Sequence, residues 1–199
     1  LAYSTVVAIS PQATIRAGSA LTARATTTID GNSSIYTNAG GFASYADGTS
    51  RFIIGSPDQV AVTSVELGSG PNAAIGPKLF ADTLRLVAEV SHADVSADSN
   101  SNAGGLGTLC DATSRVEDFD ITQINVDPGA EVHGNAVELT SQHSDIALRA
   151  NSYAESDSLF GDTNATSEVE SQGSSYATAL AGATIFTNDL LVRFEENGV

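Results

Sequence analysis

The sequence contains no methionine and no tryptophan, one cysteine and one lysine. A single cysteine excludes an internal disulfide, and Cys110 reads as a small buried hydrophobe. Seven arginines and Lys78 stand against 24 acidic side chains, giving a formal charge of −16 and a pI near 4.2. That balance repels phosphate and no basic cluster offsets it, so nucleic acid is not an expected partner. No apolar run approaches the roughly 18 residues that a membrane span needs. No cationic segment followed by an apolar stretch opens the chain, so no signal peptide is visible. The chain starts at Leu1 rather than at Met, as expected of a processed subunit or of a segment of a longer protein. Aromatic residues are only 6% of it, which rules out a thick core built on rings.

What is present is mostly Ala, Ser, Thr, Gly, Val and Asp, arranged in repeats. Asn38-Ala39-Gly40-Gly41 recurs as Asn102-Ala103-Gly104-Gly105. At the same offset of 64, Asp47-Gly48-Thr49-Ser50-Arg51-Phe52 lies over Asp111-Ala112-Thr113-Ser114-Arg115-Val116. Eight of these fifteen ungapped positions are identical, and Cys110 falls on Ala46. A third copy reads Ala165-Thr166-Ser167-Glu168-Val169-Glu170. A second marker runs Pro11-Gln12-Ala13-Thr14-Ile15, Pro71-Asn72-Ala73-Ala74-Ile75, Pro128-Gly129-Ala130-Glu131-Val132 and Ala181-Gly182-Ala183-Thr184-Ile185. After each comes an alternating run with one arginine: Leu21 to Ala25 with Arg24, Leu84 to Ala88 with Arg85, Ile146 to Ala150 with Arg149, and Leu190 to Phe194 with Arg193.

Short β-branched runs bounded by Gly, Pro, Asn or Asp predict strands at Thr5 to Ile9, Phe52 to Ile54, Val60 to Leu67, Ile121 to Val126 and Thr184 to Thr187. Phe80 to Val90 also fits a helical face, but its repeat-mates around Arg24 and Arg149 do not, so it reads as strand. No segment combines an N-terminal cap, an amphipathic stripe and a C-terminal glycine. A five-residue strand cannot satisfy its own backbone or cover its apolar face. Stacked copies solve both problems, with each rung bonding to the next about 4.8 Å away. The expectation is an all-β chain forming one domain over residues 1–199: a parallel β-helix, or β-solenoid, of degenerate repeats of about 53–64 residues. Such a unit is long for one rung, so it holds two or more rungs, or one rung plus a hairpin-like excursion.

These Ala-x-Ile turns, alternating strands and long Ala/Ser/Thr/Asp excursions resemble the repeat regions of large bacterial filamentous-haemagglutinin-like and autotransporter-like surface proteins. Ala150-Asn151-Ser152-Tyr153-Ala154-Glu155-Ser156-Asp157 and Ala177 to Ile185 are the most similar stretches. The resemblance implies a right-handed parallel β-helix that is exported to the cell surface and used in adhesion or assembly. The amino-terminal secretion cap of that family is not recognisable in the sequence.

Chemistry-bearing residues give weaker signals. His92, His133 and His143 sit in no metal-binding spacing, and no Gly-x-Ser-x-Gly elbow occurs. Glu117, Asp118 and Asp120 could act as paired carboxylates in polysaccharide cleavage by a β-helix lyase or hydrolase. Asp94, Asp98, Asn100, Asn102 and Asp111 form one oxygen-rich stretch, and Asp157, Asp162 and Asn164 another. Hard oxygen ligands suit Ca2+, but no EF-hand or nonapeptide pattern is present, and a solvated acidic coat explains them as well. Asn32 and Asn164 stand in glycosylation sequons. The repeat-phase arginines are expected to hold excursion carboxylates to the body. Neither end carries a recognisable cap: Leu1 to Ile9 and Leu190 to Phe194 are apolar strands.

The sequence therefore predicts a non-enzymatic structural subunit or segment of an extracellular filament or adhesive fibre, assembling end to end by β-strand stacking or strand donation, with no catalytic residue, no cofactor unless Ca2+ binds, and itself as head-to-tail partner. The alternatives are a carbohydrate- or surface-binding adhesin and the polysaccharide-cleaving enzyme.

Overall fold

The computed structural model describes residues 1–68 and 75–196, and strand is the only regular structure among them. The chain passes four times along one path, and each pass is one layer. Its first part lays a strand on a sheet ordered β1 (Ser4–Ile9), β4 (Ala61–Leu67), β7 (Asp120–Val126) and β10 (Ser174–Ala179). The chain then turns into a second sheet. That sheet receives β2 (Thr14–Arg16) and β3 (Ala20–Ile54), then β5 (Lys78–Phe80) and β6 (Thr83–Asp118), then β8 (Glu131–His143) and β9 (Ile146–Ser171), then β11 (Thr184–Glu196). All pairing between layers is parallel, at offsets from 53, as in Glu131↔Thr184, to 64, as in Thr14↔Lys78.

The repeats seen in the sequence are the partners in these ladders. Asp47 to Phe52 lie against Asp111 to Val116, and Ala112 to Glu117 against Ala165 to Glu170. Each unit meets the next once, so one unit is one layer with an excursion. The Pro/Ala marker is the corner between the sheets. Ala13 N–H donates to Ser10 O, Ala130 N–H to Asp127 O, and Ala183 N–H to Leu180 O, each closing a four-residue turn. The third residue of each turn has positive φ: Gln12 at 67°, Gly129 at 77° and Gly182 at 94°. Glycine is the natural occupant there, and Gln12 is the exception. In the second copy of the marker, residues 71–74 lie outside the described residues.

One arginine run is placed differently from its sequence reading. Leu21, Leu84, Val137 and Leu190 share a column, so the third body copy is the stretch around Val137. Ile146 to Ala150 instead lie against Ala93 to Ala97 in the excursion. An alternating run with one arginine recurs on two different segments because both alternate with period two.

The first three layers each have two parts. In the body, the two sheets face each other across Val65, Leu67, Leu79, Leu84, Leu86, Ile124, Val126 and Val132, all fully buried. In the excursion, the chain runs out, bends at Gly40-Gly41 or its counterpart, and returns, forming a flat fin. Its two limbs face each other through small side chains: Ala46, Ala103 and Cys110 form its tip cluster with Ala39 and Ala154. Hydroxyls span the limbs, with Ser50 Oγ donating to Ser33 O at 2.7 Å and Ser99 Oγ to Gly48 O at 2.7 Å. At the bend, a Cβ on Gly105, whose φ is +159°, would meet the Gly41 carbonyl oxygen of the preceding layer. Where fin meets body, Phe52 fills the space left by Gly31, and the next layer uses Val95 and Val116 in the same columns.

Candidate functional site

Three arrangements hold the polar and exposed residues. The first is a seam of hydroxyls inside the body. Thr27 Oγ1 lies 2.9 Å from Thr5 Oγ1 and 2.7 Å from Thr63 Oγ1. Further along, Ser141 Oγ donates to Thr122 O at 2.8 Å, and Thr122 Oγ1 is 2.7 Å from Ser175 Oγ. His143 is buried here, with Nε2 2.8 Å from Asp120 Oδ1 and Nδ1 2.9 Å from Ser175 Oγ. Tyr3 donates to Asp120 Oδ2 at 3.3 Å. Burial, and then the Asp120 carboxylate, hold the Tyr3 phenol far above its ordinary range. A carboxylate, an imidazole and a serine thus lie in hydrogen-bonded sequence. Seam hydroxyls lie beside them, and the inward columns of both sheets carry them, which is how a buried polar group meets its hydrogen-bonding demand.

The second arrangement is a set of charge ladders between layers. Arg24 pairs with Glu89, and Arg85 with Glu138 at 3.0 Å. In the fin, Arg149 pairs with Asp94, and Arg51 with Glu117, whose Oε2 also receives Arg51 Nε at 2.9 Å. Arg115 reaches Glu117 at 2.6 Å and Glu170 at 2.9 Å, and Glu170, then burial and the nearby glutamates, set its pKa, with the net shift upward. Lys78 and Glu131 are 2.5 Å apart, and Lys78, followed by His133, lowers the Glu131 pKa. His92 bridges Asp145 at 2.6 Å and Asp30 at 3.4 Å, and the bonded Asp145 raises its pKa. Arg24, Arg51, Arg85 and Arg149 join neighbouring layers instead of tying loops to a body, because each falls beside a carboxylate of an adjacent layer.

The carboxylates suggested for polysaccharide cleavage divide between these two systems. Glu117, paired with Arg51 and Arg115, lines a cavity of about 440 Å³ together with Glu170, while Asp120 faces His143 and Tyr3. The oxygen-rich stretches lie on the fin. Asp98 accepts from Asn151 at 2.8 Å and from Asn32 at 2.9 Å, and these amides, Asn151 first, lower its pKa. Asp111 stands in register with Asp47 and Asn164. Among the described residues, no group of three or more His, Cys, Asp or Glu could hold a metal ion. Both sequon asparagines are exposed, and Cys110 is buried opposite Ala46 as its register indicated.

The third arrangement was not visible from sequence motifs. Arg16, Phe80, His133 and Phe186 occupy one outward column, one per layer. Phe80 and His133 stack at 4.6 Å with rings 15° apart, and His133 and Phe186 at 4.4 Å and 14°. The Arg16 guanidinium lies 4.0 Å over the Phe80 ring. The column therefore has a cation at one end and Phe186, 52% exposed, at the other. The two outer layers carry most of the exposed large apolar side chains, and Phe42, Leu106, Leu159 and Phe160 add an apolar fin tip. Within one body column, Leu84 is fully buried and Leu190 is 49% exposed. Phe194 stands on the inward column of Ala25, Ala88 and Ser141 and is likewise exposed.

No protein-family model matches the chain, and no curated protein or solved structure matches it.

Proposed function

We propose that this chain is a β-solenoid building block of an extracellular filament or adhesive surface fibre, joined end to end by strand stacking. The observation that carries the reading is the contrast within columns. Side chains that are sealed in the middle layers are open in the outer ones, beside backbone edges that have the same pattern as the buried ones. Covering Leu190, Val192 and their neighbours would contribute about 1.5–3 kcal/mol for each fully buried side chain. A second copy supplies that cover with its first layer: β1 falls beneath β10, and β2 with the first part of β3 beneath β11. In this register, Arg16 of the next copy meets the Phe186 ring, as Arg16 meets Phe80 within the chain. Arg24 of the next copy shares a column with Arg193 and stands two positions from Glu195, the offset at which Arg24 meets Glu89 within the chain. The dense negative charge limits side-to-side association, so growth runs along one axis. The resemblance of the repeats to those of filamentous-haemagglutinin-like proteins supports a cell-surface location.

Electron microscopy of the purified chain across a concentration series tests this. Filaments with a 4.8 Å spacing and an axial repeat of four layers, about 19 Å, are expected. Substituting Phe186→Ala should raise the concentration at which they form. A chain that stays monomeric throughout, or one that releases reducing ends from polysaccharides, overturns the reading.

A further inference from the structure

On the fin, a second outward column differs from the aromatic one in a single respect. Tyr36, Asn100 and Tyr153 share it, one per layer. Both tyrosines are well exposed, at 64% and 54%. Where Phe80, His133 and Phe186 fill adjacent layers and stack, this column is interrupted by a short amide. The two tyrosines are thus two strand spacings apart, about 9.6 Å. They line a cavity of about 340 Å³ together with Asn100, Asp98 and Asn151.

We infer that this cleft binds a neutral pyranose unit of a saccharide. Two van der Waals contacts of about 4 Å leave room in such a gap for one saturated ring with a C–H face toward each tyrosine. A flat aromatic ligand, which needs only about 7 Å, would leave one side unfilled. The floor matches hydroxyl groups. Asn100 offers an amide that both donates and accepts, and Asp98 offers carboxylate oxygens oriented by Asn32 and Asn151. The charge selects against anionic sugars: Asp98 lines the cleft, and Glu155 accepts the Tyr153 hydroxyl at 3.1 Å beside it. Uronates and sulfated chains would meet repulsion there.

The chain has no tryptophan, and two of its five tyrosines, Tyr36 and Tyr153, line the cleft, so the part of the tyrosine emission lost in Tyr36→Ala and Tyr153→Ala reports on it. Titration with cellohexaose and maltohexaose should change that emission saturably for at least one of them, and polygalacturonate should not. Tyr36→Ala and Tyr153→Ala should each weaken binding about tenfold or more. Asn100→Tyr should abolish it by filling the gap, in a chain whose thermal stability is kept. Tyr45→Ala, on the other limb of the fin, should bind as the parent does. The inference is overturned if neither hexaose binds, if polygalacturonate binds equally well, or if Asn100→Tyr leaves binding intact. These outcomes are independent of filament formation, because the cleft lies on the outward face of the fin and not on an end layer.

Discussion

The body and the fin are built from the same chain, in the same layers and with the same parallel pairing, yet their interiors are opposites. The body is filled by Leu, Ile and Val, and the fin by Ala, Ser, Thr, Gly and Cys. Large side chains hold two sheets apart, and their burial supplies the driving force. Small ones let two limbs approach until serine hydroxyls reach carbonyls across the gap, as Ser114 Oγ reaches Asn151 O at 2.5 Å. The body is thus stabilised mainly by apolar area and the fin mainly by hydrogen bonds within and across its limbs. The body should respond to lost volume, and the fin to added volume.

The largest effect is expected in the body. Leu86→Ala should cost about 2–5 kcal/mol in denaturant unfolding, because its fully buried site lies between two sheets and cannot collapse. Cys110→Ala in the fin should cost less than about 1 kcal/mol, since the preceding layer already holds Ala46 in that column. Equal losses at the two positions would remove the distinction.

The junction sharpens it. Gly31→Val should cost about 1–3 kcal/mol, because the added branch meets the Phe52 ring. The double substitution Gly31→Val with Phe52→Val recreates the Val95 and Val116 pair of the next layer and should recover most of that loss. A double-mutant cycle with no coupling would show that the two columns do not share one volume.

A smaller effect is expected at the corner between the sheets. Gln12→Gly should stabilise by about 1 kcal/mol, since its positive φ costs any residue with a Cβ. Gly129→Ala should do the reverse by a similar amount.

The smallest effect at neutral pH lies in the seam, where Tyr3→Phe should change little. Its signature is alkaline. The folded state holds the phenol neutral, so the Tyr3 contribution is fully present below the ordinary phenol value of about 10 and is lost as pH rises beyond it. Between about pH 9 and 12, the melting temperature of the parent chain should therefore fall more steeply than that of Tyr3→Phe. Parallel curves would show that Tyr3 does not titrate with unfolding.

Much of this architecture was legible along the chain. Asn38 to Phe52 recur at a fixed offset because positions in one column of a parallel stack share one environment, and shared environments select similar residues. Turn chemistry marked the corners at Pro11, Pro128 and Ala181, since a tight turn imposes its own backbone angles. The Ile146 to Ala150 segment was misread because alternation tells which side chains face inward, not which part of the layer they line. The Phe80, His133 and Phe186 column escaped notice because its members are 53 residues apart and chemically unlike. Tyr36 and Tyr153 escaped because they stand two layers apart, with Asn100 between them in the column.

Sequence alone determined that this chain is all-β and layered, because period-two patterning, β-branched runs and near-identical segments are local properties that survive any folding path. Only the tertiary structure decided that one repeat makes one layer, that the first three layers divide into a wide body and a narrow fin, and which side chains become neighbours along the axis. Those contacts depend on register, and register is set when whole layers settle against one another and the volumes of facing columns have to match.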